Sequence, residues 1–150
     1  MFAIKTEVTD TNARSWRFVM QKTMYGGKHI RAGDEVFVFD SENEGGLGLV
    51  ARGLVTAAED VPRRPGIERQ TPRVSIDVER KAVARKRLGR AELKTFANWS
   101  DGRPETEINF KFYRQATNKI VGLSSEARDF SANFSGSAAV CITVLIASLF

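Results

Sequence analysis

Alternating apolar and polar positions define most of the strands expected in this chain. Apolar residues occupy every second position from Val74 to Val78 and again from Ile108 to Phe112. Each pattern predicts a strand with one apolar face. Residues 35–39 are almost continuously apolar, which is typical of a strand buried on both faces. In all, the sequence predicts six strands, at residues 2–7, 35–39, 47–57, 74–82, 108–113 and 119–123, with the second and third joined as a hairpin.

Helical spacing is confined to short segments. Trp16, Val19 and Met20 follow a helical spacing, and the polar residues at 10–12 could cap that helix. Residues 83–97 predict a second helix, although a central glycine disfavours it, and Ser124 predicts the N-cap of a third. The sequence therefore predicts an α+β fold: a small mixed β-barrel with about six strands and two or three short peripheral helices.

The chain length suits one domain, which we place at residues 1–134, followed by an apolar tail at 135–150. From Ala138 to Phe150 only Thr143 and Ser148 are polar. This segment is shorter than the roughly 18 to 20 residues that span a bilayer. Its β-branched content favours a core or dimer-interface strand, or an irregular terminus, over a tail anchor. We therefore expect no membrane partner, and the oligomeric state stays open.

Positive charge is concentrated in one stretch of the chain. Residues 63–94 hold eleven Lys and Arg against four Asp and Glu, a net charge of +7 in a chain whose total is +5. A concentrated basic surface attracts phosphate polymers irrespective of their sequence. The sequence therefore predicts DNA or RNA as the partner of this basic protein, and the alternative is a solvated arginine-rich surface.

Other sequence features narrow the class of protein. A single cysteine, Cys141, excludes an internal disulfide, and the N-terminus lacks a signal-peptide pattern, so we expect a cytoplasmic location. One cysteine and one histidine cannot form a Cys/His zinc site. Phosphate-binding and dinucleotide-binding glycine motifs and the nucleophile elbow are absent from the sequence. No cofactor is expected.

One enzyme hypothesis stays open. Asp77, Glu79 and Lys81 project from one face of the predicted strand at 74–82, and Asp40 ends another strand. Carboxylates could hold Mg²⁺ while the lysine positions a water, as in a magnesium-dependent nuclease. The simpler interpretation is that these residues form the solvent-exposed face of the strand.

Three segments resemble the EVE domains of the PUA-like superfamily, to which ASCH and YTH domains also belong. The sequence FAIKTE at 2–7 is similar to the EVE opening strand, RAGDEVFVF at 31–39 with 46–55 to the central hairpin, and KIVGLSSEA at 119–127 to the closing strand and helix. Ala3 stands where EVE domains commonly have tryptophan, and MYGGKHIR at 24–31 replaces their Gly-x-Arg-Asn-Tyr-type segment. The resemblance implies a nucleic-acid reader that accepts a flipped or modified base.

A pocket of that kind needs aromatic faces and, nearby, cations for phosphates. Trp16 and Trp99 are candidate stacking platforms, with a core role for Trp16 as the alternative. Tyr25 precedes two glycines and Lys28 and Arg31, so this segment is a further candidate. The densest basic patch, predicted to contact phosphates, consists of Arg85, Lys86 and Arg87. A second possibility is a PUA-like domain that binds a nucleotide or another small anionic ligand.

Overall fold

A computed structural model describes residues 1–114 and 119–136. The described strands form one closed barrel in the order β1-β3-β4-β5-β2-β6. Their bounds are β1 Phe2–Thr6, β2 Ser15–Met24, β3 Glu35–Asp40, β4 Gly48–Asp60, β5 Arg73–Val83 and β6 Lys119–Gly122. The pairs β1–β3 and β2–β6 are parallel and the other four are antiparallel. The mixed barrel of six strands is confirmed.

Short helices surround this barrel. They are α1 (Arg90–Leu93), α2 (Pro104–Ile108), which continues into a π-helical turn (Asn109–Arg114), and α3 (Ser125–Ala132). The turn Gly27–His29 is a short 3-10 helix, and so is Glu42–Glu44. None of the described helices has the length and apolar character needed to cross a bilayer.

Strand β3 shows how the core is divided into two layers. Val36 and Val38 point into the barrel, where they pack with Ile4 and Ile76. Phe37 and Phe39 point outward and pack beneath the helices, with Phe39 against Phe112 at 5.1 Å between ring centroids. Both faces of β3 are therefore buried, which explains its continuous apolar sequence.

Three segments differ from the sequence prediction. Residues 15–24 form a strand and not a helix, because Trp16 and Phe18 alternate into the barrel while Val19 and Met20 are exposed. Asp10 caps a turn before this strand, accepting a hydrogen bond from the Asn12 amide at 3.0 Å.

The predicted strand at 108–113 is helical. Ile108 and Phe112 are both fully buried, four residues apart, as one helical face requires. Pro104 opens α2 at its first turn, a favoured position for proline. The predicted helix at 83–97 is reduced to α1, which begins after Gly89. The count of six strands thus holds because β2 replaces 108–113.

The closing helix agrees with the prediction. Ser124 caps α3, its Oγ accepting a hydrogen bond from the Ala127 amide at 3.1 Å. Beyond it, Ser135 forms a bridge with Ala84 at the end of β5. Most of the tail that we separated at 135–150 lies outside the described residues, so its strand, interface or anchor roles stay predictions.

Trp16 is held in the barrel core. Its indole stacks near Phe18, with 6.2 Å between centroids, and its Nε1 donates to the Asp10 carbonyl at 2.8 Å. We expect Trp16→Ala to lower the free energy of unfolding by about 3 to 5 kcal/mol, because it leaves a cavity in the core. Chemical denaturation measures this loss, and Val19→Ala on the exposed face of the same strand is the control. Equal stability of the two variants would contradict the core assignment.

A buried lysine connects the barrel to the helical layer. Lys5 is almost fully buried, and its Nζ donates to the Phe112 carbonyl at 3.1 Å and lies 4.2 Å from the Tyr113 ring centroid. The Tyr113 hydroxyl in turn donates to Glu42 Oε1 at 2.7 Å. Burial, together with the nearby positive charge of Arg90, lowers the pKa of Lys5 to about 8.

This lowered pKa predicts a pH-dependent stability. Between about pH 8 and the ordinary lysine pKa of about 10.5 the unfolded chain binds more protons at Lys5 than the folded chain does, so stability should rise with pH. We expect Lys5→Met to remove part of this rise, since methionine fills similar space without a titrating group. Denaturation of both proteins across this range measures the difference, and parallel curves would contradict the prediction.

Candidate nucleic-acid interface

A basic hollow of about 560 Å³ opens beside the barrel. It lies between β2, the Gly27–His29 turn and the loop 61–72 that joins β4 to β5. Among the described residues that line it, Asp60 is the one carboxylate. Its seven cations, called the hollow cations below, are Lys22, Lys28, Arg31, Arg63, Arg64, Arg69 and Arg73.

Hydrogen bonds to the backbone fix the loop that supplies many of these cations. The Gln70 side-chain amide accepts from the Arg64 amide at 2.8 Å and donates to the Arg64 and Ile67 carbonyls at 2.7 and 2.8 Å. The Val61 amide bonds the Arg73 carbonyl at 2.9 Å, which extends the β4–β5 ladder. Arg63 also helps to hold the loop, because its Nη2 donates to the Glu68 carbonyl at 2.8 Å, but a bond to a carbonyl does not neutralise its charge.

Few of those charges are neutralised within the protein. Across the described residues, Arg31 is the only hollow cation that pairs with a carboxylate within 4 Å, at 3.5 Å from Asp60. Clustered like charges in a concave surface raise the local positive potential and the local concentration of anions. The hollow can therefore bind phosphate groups.

An aromatic cluster lies on the other side of the turn after β2. Tyr25 and Trp99 both contact Phe110, with ring centroids 6.2 and 5.4 Å apart. Lys111 Nζ lies 5.2 Å from the Tyr25 centroid, and the Arg114 guanidinium lies 5.3 Å from that of Trp99. Trp99 is 41% exposed and Tyr25 39%, so both rings retain surface for a ligand. A base could stack here close to two cations.

A smaller hollow of about 220 Å³ adjoins this cluster, and Trp99, Phe110 and Glu107 line it. Burial alone would raise the pKa of Glu107, but hydrogen bonds from Ser124 and the Lys111 ammonium outweigh it and hold the pKa below its ordinary value. Glu107 is thus ionised, and both of its carboxylate oxygens already accept hydrogen bonds from Ser124 or Lys111. A carboxylate can accept more than one hydrogen bond per oxygen, so it can still pair with the amino group of a base.

The turn Tyr25–Arg31 connects the two features. Tyr25 lies in the aromatic cluster, whereas Lys28 and Arg31 line the basic hollow. A side chain at Gly27 would collide with the Ile120 carbonyl on β6, so the turn can pack this closely only with glycine. Sequence analysis named all three as candidate site residues, and they lie in this one turn.

Other predicted site residues lie elsewhere. Trp16 is buried in the barrel core, with only 9% of its surface exposed. The residues 85–87 follow the far end of β5, an eleven-residue strand that spans roughly 33 Å at about 3.3 Å per residue. There the backbone amides of Arg85 and Lys86 bond the Phe134 carbonyl, and Arg87 lies 3.9 Å from Glu92. The basic stretch 63–94 is therefore divided between two ends of the molecule.

Several site residues were missed from the sequence. Phe110 was assigned to a strand, and the proline that opens α2 was the signal for a helix there. Lys22 was given no role, and Arg64 and Arg69 were counted in the basic stretch but given no site. The loop 61–72, with three prolines and one glutamine, has no local pattern that predicts the hollow, because the hollow forms between residues distant in sequence.

The acids of the nuclease hypothesis are engaged on the outer face of β5. Arg17 Nη1 bonds Asp77 Oδ1 at 2.9 Å, and Lys81 Nζ lies 3.1 Å from Glu79 Oε1. In residues 1–114 and 119–136, no three acidic, histidine or cysteine side chains are grouped closely enough to hold a metal ion. These contacts agree with the solvent-exposed strand face that was the alternative.

Comparison with known proteins identifies the fold. No protein-family model and no curated protein matches this chain significantly. Among solved structures, the DUF55 domain of human thymocyte nuclear protein 1 has a TM-score of 0.61 at 15% identity, over 88% of this chain and 96% of that chain. Human THYN1 protein in complex with 5-methylcytosine containing DNA has a TM-score of 0.60 at 15% identity, over 88% and 95%.

At this identity the likeness shows the fold. The barrel, with its parallel β1–β3 pair and its outer helices, has the fold of that DUF55 domain. This is the PUA-like fold that the resemblance of the opening strand, hairpin and closing strand to EVE domains predicted.

Substitution of Trp99 tests whether the aromatic cluster binds a base. If a base stacks on it, Trp99→Ala should weaken binding of a single-stranded oligonucleotide by about 1 to 3 kcal/mol. The melting temperature should change little, because the ring is partly exposed and lies outside the two core layers. Fluorescence anisotropy measures the affinity, and Leu47→Ala, at another exposed apolar residue, is the control. Wild-type affinity in the Trp99 variant would remove this residue from the interface.

Proposed function

We propose that this protein is a nucleic-acid-binding module that holds phosphates in the basic hollow and accepts a base at the aromatic cluster. The observation that carries the proposal is the convergence of the hollow cations around one carboxylate. Such a surface supplies most of the affinity for a phosphate backbone, and the neighbouring rings supply contacts to bases. The basic hollow and the aromatic cluster lie on either side of the short turn at 25–31, so one bound nucleic-acid strand could contact both.

The solved relatives support a base-reading role. One of them, human THYN1 protein, was crystallised with 5-methylcytosine containing DNA. In the present chain the small hollow beside Trp99 combines aromatic rings, cations and the ionised Glu107. A flipped or modified base needs these groups, because stacking replaces its lost neighbours and polar groups satisfy its edge. DNA and RNA both fit this description.

The proposed role is binding without catalysis. Asp77 and Glu79 are paired with Arg17 and Lys81, and they lie on an exposed strand face away from both hollows. The sequence-predicted patch Arg85–Arg87 is proposed as a second, separate contact for a longer nucleic acid. The cytoplasmic location stays a prediction.

Charge removal at the two ends of β5 tests which basic surface carries the binding. We expect the triple change Lys28→Ser, Arg64→Ser and Arg69→Ser to lower oligonucleotide affinity and to flatten its salt dependence. Each lost phosphate contact reduces the slope of log K against log salt by about 0.7 for a single strand, so the slope should fall by about 2. Titrations from low to physiological salt measure the slope.

The matched control removes the same charge elsewhere: Arg85→Ser, Lys86→Ser and Arg87→Ser. With a short oligonucleotide it should keep the wild-type slope, and with a longer one it should lower the slope less than the hollow variant does. A reduced slope in the control alone would move the phosphate site to the far end of β5. Equal binding of a mononucleotide and an oligonucleotide would favour the small-ligand alternative.

A further inference from the structure

Backbone strain coincides with the two parts of the candidate interface. Among the described residues, Met20 and Tyr25 are the only non-glycine residues with positive φ, at 54° and 51°. This left-handed conformation is unfavourable for residues with a side chain. Tyr25 belongs to the aromatic cluster, and Met20 lines the basic hollow. Strain of this kind persists where the surrounding structure enforces it, frequently at binding sites.

A β-bulge enforces the conformation of Met20. Phe18 pairs with Ile76 and Gln21 with Val74, so two residues of β2 oppose the single residue Ser75 of β5. The buried Ser75 Oγ accepts a hydrogen bond from the Met20 amide at 2.9 Å. Bulges change the direction of a side chain and are common beside functional sites.

A second hydrogen bond fixes the other side of the same residue. Arg73, a hollow cation, donates from Nη1 to the Met20 carbonyl at 3.0 Å. The bulge is thus tied to the wall of the hollow as well as to the strand beneath it. Of the two bulged residues, Met20 lines the hollow and Val19 does not.

The bulge places an apolar side chain in the basic hollow. Met20 is 39% exposed, and Ile67 from the opposite loop, also lining the hollow, is 49% exposed. Contact with an apolar surface does not stabilise a phosphate group. It does stabilise a base ring or a sugar, and the methionine sulfur is polarizable and contacts aromatic rings favourably. The hollow therefore offers cations for phosphates and an apolar surface for the group between them.

We propose that Met20 and Ile67 form a second base-contact subsite, separate from the aromatic cluster. One unpaired base of a bound strand lies against them while its flanking phosphates contact the hollow cations. This proposal rests on the proposed function, because it requires the hollow to bind nucleic acid. It assigns to the bulge a role in binding in addition to its role in the curvature of the barrel.

Two ligands and a set of variants test the subsite. The ligands are a single-stranded oligonucleotide and long-chain inorganic polyphosphate, which has the charge but no bases. We expect Met20→Ala to weaken oligonucleotide binding about tenfold, as loss of a base contact does, and to leave polyphosphate binding unchanged. Ile67→Ala should act in the same direction. Val19→Ala, the neighbouring bulge residue outside the hollow, should bind both ligands as the wild type does.

Thermal melting tests the strain independently. Met20→Gly should lose oligonucleotide affinity as Met20→Ala does, but it should melt at a higher temperature than the alanine variant. A variant with glycine inside a strand normally melts at a lower temperature than the alanine variant. The order reverses only where a positive φ makes the alanine Cβ unfavourable. A lower melting temperature for the glycine variant would overturn the strain argument.

The binding results separate the possible failures. If Met20→Ala binds the oligonucleotide as well as the wild type does, the subsite is wrong. An equal loss for oligonucleotide and polyphosphate would also overturn it, because Met20 would then act only on the shape of the hollow. If wild-type protein binds polyphosphate and oligonucleotide equally, base contacts as a whole fail while phosphate binding survives. Absence of binding to either ligand would overturn the proposed function, and the subsite with it.

Discussion

The close packing of the turn after β2 against strand β6 is the constraint on which the candidate interface depends. Parallel pairing of β2 with β6 closes the barrel, and the Gly122 amide bonds the Tyr25 carbonyl at 3.1 Å. Gly27 and Gly122 lack the side chains that would collide across this contact. The chain can therefore turn sharply, leaving Tyr25 on one side and Lys28 on the other. Barrel closure and the junction of the two binding features are consequences of one contact.

Neutral hydrogen bonds support the charged surface. The amide of Gln70 and the extended β4–β5 ladder hold the loop 61–72, so its arginines are not consumed in internal ion pairs. Salt screens the attraction between exposed charges but has much less effect on such hydrogen bonds. The hollow should therefore keep its shape at salt concentrations that abolish its attraction for phosphates. Because these cations are not neutralised within the protein, they repel one another, and a bound anion reduces that repulsion.

Local patterns predicted some elements of this fold and misled for others, for identifiable reasons. Strand β3 was predicted from the sequence because no polar residue interrupts the apolar run Val36–Phe39. Ile108 and Phe112 satisfy both a strand period and a helical period, and only Pro104 distinguished the two. Of the site, the turn bearing Tyr25 and Lys28 was predicted because its residues are adjacent in sequence. The hollow was not, since the β2 bulge and the loop 61–72 meet only when β5 pairs with β2.

The pairing of β1 has a consequence for how the chain folds. Phe2 pairs with Val36 on one side and with Gly122 on the other, so the first strand to be synthesised completes its hydrogen bonds only after nearly all the described chain exists. Long-range pairing of this kind folds slowly, because the entropy of closing a large loop must be overcome first. Until β6 arrives, β1 and β2 have unpaired edges that another chain could bind. A nascent chain emerging from the ribosome would therefore hold an open, aggregation-prone sheet until β6 is released.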